Sequence, residues 1–142
     1  MNYNNLIQLY FERTTALQSY WTLYVVIVGG LLAFSSLRKQ PATLTTLVVS
    51  ILFVLFAYEN LTAILDTGAQ RRATLNAIKQ SASGSGLEQA RKFLEPTMDP
   101  ASAASTSATH IISDSLTILG LWIMELRRRR LHGAPEPVAR TV

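Results

Sequence analysis

The sequence predicts an all-α fold: an integral membrane three-helix bundle with an amphipathic N-terminal helix and an extramembrane helical extension between spans two and three. Three features predict it. Two long stretches, 20–37 and 42–65, are strongly apolar and almost free of charge, and about 18 such residues cross a hydrocarbon core of roughly 30 Å. A third, weaker stretch at 107–126 runs directly into four consecutive arginines, Arg127, Arg128, Arg129 and Arg130, the kind of charge that flanks a span. Apolar positions outside these stretches recur at helical rather than alternating spacing. The mean hydropathy of +0.22 hides all this, because polar connections dilute the apolar runs.

The N-terminal segment places Leu6, Tyr10, Leu17 and Trp21 on one stripe and Gln8, Glu12, Thr15 and Ser19 on the other. That is an amphipathic helix, either lying at the interface or running straight into the first span. Span one opens on Tyr20, Trp21 and Tyr24, an aromatic belt, and stops at Arg38 and Lys39. Ala33-Phe34-Ser35 is a poor cleavage site, so the run is expected to be kept as a helix. The short link containing Pro41 makes span two an antiparallel neighbour.

The helical pattern outlasts span two. Leu61, Ile64, Leu65, Leu75 and Ile78 keep their spacing while Arg71, Arg72 and Lys79 appear between them, so the helix should continue to about Gln80. A Ser/Gly breaker at 81–86 follows, then a capping-box spacing, Ser85 to Glu88, that predicts a short helix at 87–94. Asp99 is placed to cap a helix starting at Pro100. The whole of 1–131 reads as one membrane helical domain with an extramembrane connection at 66–106, and 132–142 as a disordered tail. Three spans put Arg38, Lys39 and the arginine run on one side, which the positive-inside rule makes the cytoplasmic one: N-outside, C-inside. Small size and the lack of an organelle-type presequence point to a bacterial inner membrane.

Counting inward from the C-terminal side at roughly 1.5 Å per residue brings Glu59, Asn60, His110 and Asp114 to similar depth, a polar intramembrane layer. A charged group mid-span costs about 2.5–3.5 kcal/mol on insertion scales, so these side chains need shelter or a task. They either pair as structural partners or line a vestibule for cations or protons. Asp114 and Glu125 share a face, but Ile118 and Leu121 fill the interval between them. Small residues mark helix contacts: Gly29, Gly30 and Ala33 on helix one, and Ser113, Thr117 and Gly120 on helix three. The arginine run is expected to face lipid and set topology, attracting anionic headgroups.

Composition narrows the function. With no cysteine, thiolate catalysis and disulfides are excluded, and there is no G-x-S-x-G elbow. His110 and Asp114 could give a metal two ligands, too few for a closed site. No cofactor or metal is expected. The arginines lack interleaved aromatics, which argues against nucleic acid. The expectation is a small non-catalytic membrane protein, an accessory subunit or self-assembling scaffold. Its partners would be the lipid bilayer and either further copies in a homo-oligomer or a larger membrane complex. The alternative is a homo-oligomeric pore for ions or protons built on the polar layer.

Overall fold

The computed structural model describes residues 3–81 and 95–132. Three helices pack together: α1 (Tyr3–Leu37), α2 (Thr43–Ser81) and α3 (Ala103–His132), with a 3-10 turn at Glu95–Thr97 before α3. The short helix expected at 87–94, most of the Ser/Gly breaker before it and the tail after His132 lie outside the described residues. The most extensive contact is between α1 and α2, and α3 packs on both.

Helix α1 is continuous over 35 residues, about 50 Å at 1.5 Å per residue. The amphipathic segment therefore runs straight into the apolar one. Its Leu6 and Tyr10 are buried, whereas Gln8, Glu12, Thr15 and Ser19 are exposed, as their spacing predicts. What covers the buried stripe is the far end of α2, which continues through the basic segment to Ser81. Leu6, Tyr10, Leu75, Ile78 and Met98 form one core there. The Tyr10 hydroxyl donates to the Met98 carbonyl, tying the chain before α3 onto this pair of helices. A second core, Tyr24, Phe53 and Ala57, lies in the apolar half with Trp21, Phe56 and Ile118 against it.

Among the described residues two helices, α1 and α2, are long and apolar enough to cross a membrane. Helix α3 is not counted with them, and its orientation explains why. His110, Thr117, Glu125 and Arg128 are buried on its inner face, while Ile111, Ile112, Leu116, Leu119, Ile123 and Leu126 are exposed on its outer one. An average over the sequence mixes the two faces.

The start of α3 differs from the expected cap. The helix begins at Ala103, not Pro100, and Ser102 caps it: its hydroxyl accepts from the Ser105 N–H at 3.1 Å. Asp99 instead lies 3.7 Å from the Lys79 ammonium. A serine hydroxyl reaches the N3 amide of a helix as well as a carboxylate does, so the cap forms without Asp99, which stays largely exposed.

The small residues also divide. On α3, Thr117 is buried and Gly120 faces α1, where an added Cβ would lie 3.5 Å from Leu32 Cδ2. On α1, Gly29, Gly30 and Ala33 are exposed, and an added Cβ at either glycine meets nothing within 4 Å. Both glycines thus face open space on the outside of the bundle. Gly120→Leu should therefore lower the thermal midpoint of the detergent-purified chain, at a cost of about 1–3 kcal/mol from overpacking. Gly30→Leu should leave the fold intact. Equal midpoints for the two variants would contradict this division.

Candidate functional site

Three of the four residues expected in the polar layer meet. His110 is fully buried on α3, where Asp114 lies one turn on. Its Nδ1 is 2.8 Å from Asp114 Oδ2, and its Nε2 is 3.2 Å from Asn60 Oδ1 on α2. Asn60 Nδ2 in turn donates to the Tyr20 carbonyl of α1 at 3.2 Å, which turns its Oδ1 toward the imidazole. The ring thus has an acceptor at each nitrogen, and a ring protonated at both donates to both. The other carboxylate oxygen of Asp114 accepts from the Tyr24 hydroxyl at 2.8 Å. Tyr24 and Trp21 close over the imidazole, with ring centroids 4.3 and 5.8 Å from it.

Glu59 is not in this network. It is exposed, because adjacent helical positions point about 100° apart and Asn60 takes the inward one. Tyr24, read from the sequence as a belt aromatic, is a member. A count at roughly 1.5 Å per residue from Leu37 and Arg127 puts Tyr24 level with Asp114, so depth is the signal that finds it.

A second network closes the other end of the bundle. Glu125 is fully buried and accepts from Thr43 Oγ1 and Thr46 Oγ1 of α2, each at 3.3 Å. Arg128 donates to it at 3.1 Å, and Arg38 and Arg129 lie 3.6 and 3.7 Å away. Arg128 also donates to the carbonyl and, at 3.1 Å, the hydroxyl of Ser35 on α1. Arg38 further reaches the Ala42 carbonyl at 3.1 Å. The arginine run is therefore not uniformly lipid-facing. Arg127, Arg129 and Arg130 are exposed, but Arg128 is buried, since one residue in each helical turn faces the bundle and Glu125 stands three positions before it.

Between Asp114 and Glu125, about 16 Å apart along α3, the inner face holds the buried Thr117 and Leu121, and α2 buries Ser50 and Phe53. The Thr117 and Ser50 hydroxyls each bond their own helix backbone at 2.8 Å, and Leu121, Phe53 and the partly buried Ile118 supply the apolar packing. No continuous polar line joins Asp114 to Glu125. Asp114 does keep 20% side-chain exposure and edges an apolar groove of about 310 Å³ between α2 and α3, beside Tyr58 and Ile111. Among the described residues no group of three or more His, Asp or Glu side chains gathers as metal ligands would. Comparisons with family models, curated proteins and solved structures return no match.

The network predicts a graded response. Tyr24→Phe removes a single hydrogen bond and should cost about 1 kcal/mol or less. His110→Leu strips a partner from Asp114 and another from Asn60 and should cost more than about 2 kcal/mol. Chemical denaturation in micelles measures both, and a Tyr24→Phe effect as large as that of His110→Leu would show that the imidazole does not tie the helices.

Proposed function

We propose that this chain is a non-catalytic three-span membrane protein that assembles with further copies of itself through the outer face of α1, as a scaffold or subunit. One contrast carries the reading. The ionisable groups turned inward on α3 find partners within the chain, while the small-residue face of α1 is left open.

The exposed face of α1 runs through Thr15, Ser19, Thr22, Val26, Gly29, Ala33 and Ser36, steps of three and four that keep one stripe toward a neighbouring helix. Its hydroxyls bond their own backbone: Thr15 to Phe11, Ser19 to Thr15, Thr22 to Gln18 and Ser36 to Ala33, at 2.8–3.1 Å. The stripe is thus small, and its hydroxyls are already satisfied, which suits close backbone approach in lipid. Membrane insertion itself is supported by the exposed apolar band on all three helices, which includes Val25, Leu52, Leu55, Leu116 and Leu119. A surface of that extent is foreign to a protein in water. With α3 as a third span, the positive-inside rule gives N-outside, C-inside. The pore alternative has less support, since the polar layer is occupied by its own chain and the next buried hydroxyls, Thr117 and Ser50, bond their own helices.

Two sets of single cysteines test the reading. In intact vesicles Gln40→Cys and His132→Cys should react from one face and Asp99→Cys from the other; His132→Cys reacting with Asp99→Cys would leave α3 outside the bilayer. Under mild oxidation in the native membrane, Ala33→Cys should give a covalent dimer and Leu52→Cys, on the outer face of α2, should not. Equal cross-linking at both positions, with an unchanged particle mass for Gly30→Leu, would dismiss the α1 interface.

A further inference from the structure

At the level of the aromatic belt the three helices leave a cavity of about 220 Å³, on the opposite end of the apolar band from Glu125. One part of its wall is apolar, with Leu17 and Trp21 of α1 and Ile64 and Leu65 of α2. The remainder carries Arg71 and Arg72 of α2 and the first turn of α3, including Ala103, Ser105 and Thr106. No carboxylate is among the lining residues.

The polar part is charged and underused. Arg71 gives one guanidinium nitrogen to the Tyr10 hydroxyl at 2.7 Å and stacks over that ring, its Cζ 5.0 Å from the centroid. Its Nε is buried with no hydrogen-bond partner. Arg71 as a whole is half-buried, but a donor shielded from water without an acceptor is costly. Arg72, beside it, makes no ion pair with any described carboxylate. Ser102 caps the amide of Ser105, whereas the Ala103 and Ala104 N–H groups, in the first turn of a 30-residue helix, have no acceptor within it. These donors and both guanidinium groups favour the same ligand, an anion with several oxygens.

We propose that this cavity binds a phosphate group, supplied by the headgroup of an anionic phospholipid. The chemistry of the wall sets the class. Two arginines and helix amides fit a phosphate's oxygens, and the apolar wall by Leu17 and Trp21 fits the start of an acyl chain. The volume is below the ~300–1,000 Å³ of pockets that enclose whole drug-sized ligands, so the tails lie outside. Gly68, also in the wall, keeps the space open: an added Cβ there meets nothing within 4 Å. The lipid source rests on the membrane reading above; the anion site does not.

The test uses the full chain in an uncharged detergent, with thermal midpoint and native mass read together. The added probes are short-chain phosphatidylglycerol, diacylglycerol of the same chain length, and inorganic phosphate. Phosphatidylglycerol should raise the midpoint and bind one per chain, and diacylglycerol should do neither. Arg72→Gln and Gly68→Leu should each weaken phosphatidylglycerol binding about tenfold or more, by removing a charge-assisted bond or filling the space. Both should keep the ligand-free midpoint, which Arg71 variants need not, because Arg71 also holds Tyr10. Inorganic phosphate acting as strongly as the lipid would keep the anion site and overturn the lipid as its source. Phosphatidylglycerol acting equally on the parent and both variants, or diacylglycerol matching it, would overturn the proposal. Failure of the membrane reading would appear separately, in the cysteine labelling.

Discussion

The buried carboxylate of Glu125 is the constraint around which one end of the molecule is built. An ionised group wholly removed from water is tolerable only when charge and hydrogen bonds surround it. Glu125 recruits both from two helices and a link: threonines from the start of α2, Arg128 from its own helix, and Arg38 from the α1–α2 link. Arg128 then reaches on to Ser35. Removing α1 or α2 would leave Arg128 or Glu125 short of a hydrogen-bond partner, so the network ties the helices' axial positions together here. The Asn60–His110–Asp114–Tyr24 network repeats the device at the other end of the apolar band with neutral as well as charged partners.

Between these two clasps the packing is ordinary and apolar, with Tyr24, Phe53 and Ala57 at its centre. Beyond them α1 and α2 continue as a pair, and Tyr10 connects three things at once: the α1–α2 core, Arg71, and the chain leading into α3. The helix pair is thus coupled to the entry of α3 through one phenol. The cavity beside Arg71 sits at that junction, where three helix segments diverge and side chains alone do not fill the space.

Much of this was legible in the residues. Helical spacing gave the three elements, the overrun of α2 to within a residue, and the exposed stripe at Gln8, Glu12, Thr15 and Ser19. Depth counting placed Asn60, His110 and Asp114 together because helical rise is nearly invariant. Rotation was harder. Nearly every residue of the apolar stretches suits a buried or lipid-facing position equally well, so the pattern carries almost no facing information. That is why Glu59 is grouped with Asn60 by depth, and why Gly29 and Gly30 mark a helix contact without naming the helix they would meet. Arg128 was hidden for a related reason: in a run of four identical residues nothing marks the one that turns inward, except the glutamate three positions earlier.

The inversion of α3, polar inside and apolar outside, bears on how a chain read as membrane-spanning would be made. Helices α1 and α2 are each long and apolar enough to cross a membrane, and a five-residue link joins them into a hairpin. Helix α3 carries His110, Asp114 and Glu125 and gains by entering only when a surface is ready to receive them. Its insertion would be templated, following the hairpin in time as it does in sequence. A full-length chain whose hairpin had failed to form would hold its third helix at the membrane surface, and the two clasps would act as checkpoints of assembly as much as bonds of the finished protein.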